Sequence, residues 1–267
     1  MKKFFKRLTL GLATVFSLGA LSGCSLSDFK FPWDKGEEPY VPGPAPETDD
    51  FTPVLRFVVA SDMHVSAKNA DSAMTKDRFK DMFTQMNAYA DAQSYNRLDA
   101  VLLAGDITDG GTLSDLATAK RIIDENIAEE TELVITMGNH DFWGNKSNPT
   151  AMITQFENEF GPTNSHKEIG GYHFIGLSTS RLKKHFNSQF QKMWLKKELD
   201  KAIKDTPHKP VFVMHHEHIK NTVFGSYNED GWGKILFADL LKKYPNVVDF
   251  SGHSHYPVND PRSVWQK

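Results

Sequence analysis

The stretch "DAVLLAGDITDGG" (residues 99–111) decides how the rest of this chain is read. Ala100 to Ala104 is apolar at every position rather than at alternate ones, which marks a strand buried on both faces. Such a strand needs a covering layer on each side, so it belongs to a parallel sheet flanked by helices. It stops at Gly105, and Asp106 and Asp109 follow directly. In open sheets of this kind, ligands bind beyond the carboxyl ends of the strands.

The same alternation continues in both directions. Short apolar runs are expected as strands at 54–60, 99–104, 132–137, 172–178, 210–215 and 246–252. Amphipathic segments between them predict helices at 78–92, 113–129, around 150–160, 188–205 and 233–243; Gly161-Pro162 ends the third. Five strand ends in succession carry unusual residues. These are Asp62 and His64 in "SDMH", Asp106 and Asp109 in "GDITDGG", Asn139, His140 and Asp141 in "GNHD", three histidines in "HHEH", and His253 and His255 in "GHSH". One strand-end Asp usually caps the following helix. Five sets on one rim instead provide carboxylate, amide and imidazole donors for two divalent ions, one of them bridged by a shared carboxylate. That donor set suits Zn, Fe or Mn, and it lacks the thiolates of a structural zinc site. Glycines before Asp106, Asn139 and His253 would permit sharp turns aiming those side chains.

These motifs, in this order from about Val54 to His255, resemble the calcineurin-like metallophosphoesterases. The resemblance implies an α/β fold, a four-layer α/β/β/α sandwich with two divalent metal ions at one edge. Carried over residue by residue, it gives Asp62, His64 and His255 to one metal and Asn139, His215 and His253 to the second, with Asp106 bridging. It implies phosphoester hydrolysis by a metal-bound hydroxide, with His140 stabilising the transition state or protonating the leaving group. The substrate would be a small phosphomonoester or phosphodiester, and "GDITDGG" leans toward the diesterase branch. A metal- or phosphoryl-ligand-binding lipoprotein without turnover is the alternative.

Several assignments stay open. Asp141 either orients His140 or caps a turn. Asp109 supports the site or caps "DGG". Trp143 and Asn145 line a pocket or cover the core. His215 leaves its strand directly and is favoured over His216 as ligand, although family members often have proline where Glu217 stands. His218 is a pocket-rim or solvated loop residue. His173 is expected to be packed or exposed within its strand, and His166, His185 and His208 to lie in polar loops.

The ends of the chain read differently from its middle. Residues 1–23 combine Lys2, Lys3, Lys6 and Arg7 with an apolar run of about fourteen residues, the pattern of a signal peptide. They end in "LSGC", which resembles the lipobox of bacterial lipoproteins, with lipidation at Cys24, the only cysteine. The expected product is extracytoplasmic and attached to the bacterial membrane by acyl chains. Residues 24–52 form a Pro-rich tether and 53–267 the metallophosphoesterase domain. Cleavage would remove four of 31 basic residues and none of the 34 acidic ones, moving the net charge from −3 to about −7. Without a basic cluster, nucleic acid is not an expected partner. Only twelve residues follow His255, so the chain is expected to be a fragment lacking C-terminal strands of the sandwich.

Overall fold

The structure is a computed structural model that describes residues 52–68, 72–179, 189–226 and 235–266. The expected signal peptide, Cys24, the tether up to residue 51 and His185 lie outside the described residues. Among those residues, no helix is long and apolar enough to cross a membrane.

The described elements run β1 (Phe57–Ala60), α1 (Ser72–Asp91), β2 (Ala100–Ala104), α2 (Leu113–Asn126), β3 (Glu132–Thr136), a 3-10 turn (His140–Asn145) and α3 (Pro149–Phe160). They continue with β4 (Asn164–Ile169), β5 (Tyr172–Leu177), α4 (Gln189–Asp205), β6 (Val211–His215), α5 (Ile235–Leu241) and β7 (Val247–Phe250). The strands form two sheets. One is fully parallel in the order β1-β2-β3; the other is β4-β5-β6-β7, with β4 antiparallel to β5 and the remaining pairs parallel.

Three apolar clusters account for the layers. The outer face of the first sheet packs against α1, α2 and α3 through residues such as Phe79, Phe83, Leu116, Ile122 and Phe156. The outer face of the second packs against α4 and α5 through Ile175, Leu195, Leu199, Val213 and Phe237. Between the sheets lie Leu102, Val134, Phe174, Phe212 and Met214. Phe57 meets Phe174, Phe212 and Phe250 edge-on there, at centroid separations of 5.3, 4.8 and 5.9 Å. Continuous apolar strands such as Ala100–Ala104 are therefore explained: one face meets helices and the other meets the second sheet. The result is the four-layer α/β/β/α arrangement.

Two local readings change. The polar segment "NSHKEI" is not a loop but the edge strand β4, so His166 lies on a strand. An edge strand needs no apolar alternation when only part of it is covered, and Gly170-Gly171, both at positive φ, close the hairpin to β5. The first helix begins at Ser72, about two turns before its apolar face becomes legible in the sequence.

Candidate metal centre

The loops after β1 and β2 are locked together by backbone hydrogen bonds. Asp62 N donates to the Gly105 carbonyl, His64 N to that of Asp106 and Val65 N to that of Ile107, at 2.9–3.1 Å. Within this frame Asp62, His64, Asp106, His253 and His255 all take left-handed backbone angles, with φ between 47° and 73°. Such conformations cost roughly 1–3 kcal/mol each for non-glycine residues. They persist because neighbouring hydrogen bonds over-determine them, and they bring five side chains toward one point.

The geometry divides into two groups sharing Asp106. In the first, His255 Nε2 lies 3.2 Å from Asp62 Oδ1 and 3.2 Å from His64 Nε2. In the second, His216 Nε2 lies 3.1 Å from Asp106 Oδ2 and 3.1 Å from His253 Nδ1. Asp106 is 1 % exposed, and its Oδ2 is also 3.9 Å from His64 Nε2. Its other oxygen accepts the His140 backbone N–H at 2.7 Å.

Supporting contacts fix which atoms face inward. Ser61 Oγ and His253 N both donate to Asp62 Oδ2, leaving Oδ1 buried without a hydrogen-bond partner. Asn139 Oδ1 is likewise buried and unpaired. His216 Nδ1 donates to the Ala104 carbonyl at 2.8 Å, so Nε2 is the nitrogen presented to the centre. Unpaired buried oxygens beside converging imidazole lone pairs, with no thiolate, fit a pair of divalent cations of the Zn, Fe or Mn type. The groups Asp62/His64/His255 and Asp106/His216/His253 could each hold one ion.

Electrostatics agree. Burial opposes the Asp106 carboxylate, but the His216 hydrogen bond and charge outweigh it and hold its pKa below the usual value. Burial also opposes a charged His216, yet Asp106 carries its pKa up to about 9. Burial, reinforced by His216, drives His253 down to about 3. One positive charge is thus concentrated opposite Asp106, where a metal cation would replace the proton.

His215 and His218 depart from their sequence-based expectations, and the structure chooses between the two readings of Asp141. His215 is not placed at the centre. Along β6, Val211, Val213 and His215 point to the helical face, where His215 meets Phe237 and its Nε2 lies 3.0 Å from Asp249. Phe212 and Met214 point between the sheets, and His216 continues that side toward Asp106. The alternation of side chains therefore carries His216, not His215, to the rim. Glu217 is buried and accepts the Thr179 hydroxyl, anchoring the turn.

Asp141 does not contact the His140 ring. It is fully buried and accepts hydrogen bonds from Ile107 N, Thr108 N, Thr108 Oγ1 and Gly138 N, tying two strand-end loops together. Burial and the Asp106 charge push its pKa to about 6 against those bonds. His140 is oriented instead by the Asp109 carbonyl, 2.8 Å from Nδ1. His218 is neither on the rim nor solvated. It is buried, bonded through Nδ1 to the Gly252 carbonyl, with Nε2 unpaired.

Trp143 is the residue whose role the sequence left widest open. Its ring stacks on His140 at a centroid distance of 3.5 Å while remaining 41 % exposed, and Lys146 lies over its other side. Asn145 instead closes the following turn through the Asn148 N–H.

Of the three glycines, only Gly105 uses a positive φ, 80°. Gly138 and Gly252 are required by close approach. A Cβ at Gly138 would lie 2.2 Å from Asp106 Oδ1, and one at Gly252 2.6 Å from Asp62 Oδ2. Gly138→Ala is expected to displace Asp106 and reduce bound metal by at least one ion per chain. Metal counting by mass spectrometry, with circular dichroism to verify folding, checks this; unchanged metal content would contradict it.

The family model described as calcineurin-like phosphoesterase matches residues 55–257. A protein of Rhodococcus erythropolis (strain PR4 / NBRC 100887) named "Probable cyclic nucleotide phosphodiesterase" is 25 % identical over 205 residues. The match covers 75 % of this chain and 64 % of that relative's length. The purple acid phosphatase PPD1 of yellow lupin (Lupinus luteus) seeds has a similar fold, with a TM-score of 0.51 and 20 % identity over 75 % of this chain and 38 % of that one.

Proposed function

Because this chain belongs to the calcineurin-like phosphoesterase family, we propose that it hydrolyses a small phosphodiester, using two divalent cations held on either side of Asp106. The observation that carries this reading is the convergence of two Asp/His groups on one buried carboxylate, with His140 beside them. The first ion would be held by Asp62, His64, Asp106 and His255, the second by Asp106, Asn139, His216 and His253. Bound there, the cations would neutralise phosphate oxygens and lower the pKa of a water molecule.

The remaining work falls to the chain's own groups. His140 keeps its Nδ1 proton on the Asp109 carbonyl, so Nε2 is the nitrogen available to substrate. Its ring centroid is 4.5 Å from that of His64, which sets the imidazole beside the first group of donors. There it would stabilise charge or protonate the departing alcohol. The exposed indole of Trp143 holds the imidazole plane and offers an apolar surface for the leaving group. Trp143→Ala is expected to lower kcat about tenfold with metal content unchanged, read by steady-state kinetics alongside metal analysis.

The name of the bacterial relative supports a cyclic-nucleotide-like diester as the substrate class. The amino-terminal features support export and attachment through Cys24, with residues 25–52 as a spacer.

The test compares bis-p-nitrophenyl phosphate, p-nitrophenyl phosphate and a cyclic nucleotide with added Mn²⁺. Metal-dependent cleavage of the diester is the expected result. A monoester preference would correct the substrate class, and no metal-dependent turnover of any of them would overturn the enzymatic reading.

A further inference from the structure

On the outer face of the second sheet, away from the metal centre, β4 and β5 present a second histidine pair. Glu168 lies directly opposite His173 in the hairpin, and His166 is two residues along on the same face. Helix α4 covers this face and contributes Glu198 and Asp205. The four groups stand in a row. Glu198 Oε2 is 2.7 Å from His166 Nδ1, His166 Nε2 is 3.0 Å from His173 Nδ1, and His173 Nε2 is 3.1 Å from Asp205 Oδ2.

Proton counting makes this row unusual. Both ends are carboxylates, which only accept. Two neutral imidazoles own two N–H protons, and the carboxylates take both. The inner nitrogens then face each other as bare lone pairs 3.0 Å apart. With both end groups ionised, a third proton or a metal ion between them would satisfy both lone pairs.

The imidazole pairs of the candidate metal centre have similar separations. His64 Nε2 and His255 Nε2 are 3.2 Å apart there, and His216 Nε2 and His253 Nδ1 are 3.1 Å apart. Tetrahedral zinc with Zn–N bonds near 2.0–2.1 Å sets its nitrogens about 3.3 Å apart, so a few tenths of an ångström of opening would suffice. Placing each outer N–H on a carboxylate is also how metal-bound imidazoles are normally oriented. A cavity of about 360 Å³ opens onto the pair, lined by His166, Glu168, His173, Lys201, Lys204 and Asp205. Glu168 is exposed on the same strand face and supplies a carboxylate within that cavity.

We propose that His166 Nε2 and His173 Nδ1, with Glu168 as a further ligand, form a separate site for a Zn²⁺-type divalent ion that clamps the β4–β5 hairpin beneath α4. This site does not depend on the proposed hydrolysis.

The test is equilibrium dialysis of the folded full chain against micromolar Zn²⁺, with metal counted per chain and melting temperature recorded. Wild type is expected to bind one ion more than His166→Ala or His173→Ala and to gain several degrees more in Tm on Zn²⁺ addition. In an Asp106→Ala background the His173-dependent ion is expected to remain. Should the alanine variants not fold, His166→Asn keeps an amide for Glu198 and serves in their place. Equal metal counts in wild type and variants would overturn the proposal. So would imidazole ¹⁵N shifts showing a proton shared by His166 and His173 that Zn²⁺ does not displace.

Discussion

Asp106→Ala is expected to lower metal-dependent diester turnover by about 10³-fold or more, equivalent to roughly 4 kcal/mol of transition-state stabilisation. Metal bound at this centre should fall to one ion per chain or none. The reason is geometric. Asp106 is the buried carboxylate that faces both groups, with Oδ2 3.1 Å from His216 and 3.9 Å from His64. It also receives the His140 backbone N–H, so its loss releases the loop that carries the candidate proton donor. Two ions without a bridging charge repel, and the His216 imidazolium would lose the partner that raises its pKa. Metal analysis and kinetics on the same preparation separate this outcome from unfolding. Retention of two ions and of substantial turnover would remove Asp106 from the bridging role.

The second large effect distinguishes adjacent histidines. His216→Ala is expected to remove one metal ion and reduce turnover by about 10²–10³-fold, since its Nε2 is presented to Asp106 and His253. His215→Ala is expected to keep both ions and turnover within about threefold of wild type. It should instead destabilise the fold by about 1–3 kcal/mol, because it removes a buried ring from the Phe237 contact and leaves Asp249 without its partner. Chemical denaturation together with metal counting reads both. The reverse pattern would restore His215 as the ligand.

This pair shows where sequence reading stopped. "VFVM", ahead of the two histidines, is apolar throughout, so nothing in it tells which face of β6 meets the helices and which meets the other sheet. Once Phe212 and Met214 are seen between the sheets, side-chain alternation puts His216 on the metal side. Asp141 was legible as a functional-loop residue, but its partners, Thr108 and Ile107, come from a different strand end. Trp143 could be placed only after the 3-10 turn folded it back onto His140, three residues earlier. The strand β4 was missed because a polar edge strand has no apolar period to detect.

The sequence alone determined the alternating strand–helix order and the position of the chemistry at successive strand ends. Asp62, His64, Asp106, Asn139, His140, His253 and His255 could be named as candidates because each follows an apolar run and together they match the motifs of the family. Only the tertiary structure decided the facing of each strand, the choice of His216, the left-handed backbone at five of the converging residues and the His166–His173 pair. Those features arise from contacts between residues distant in sequence. Periodicity records which positions are buried; it does not record what they are buried against.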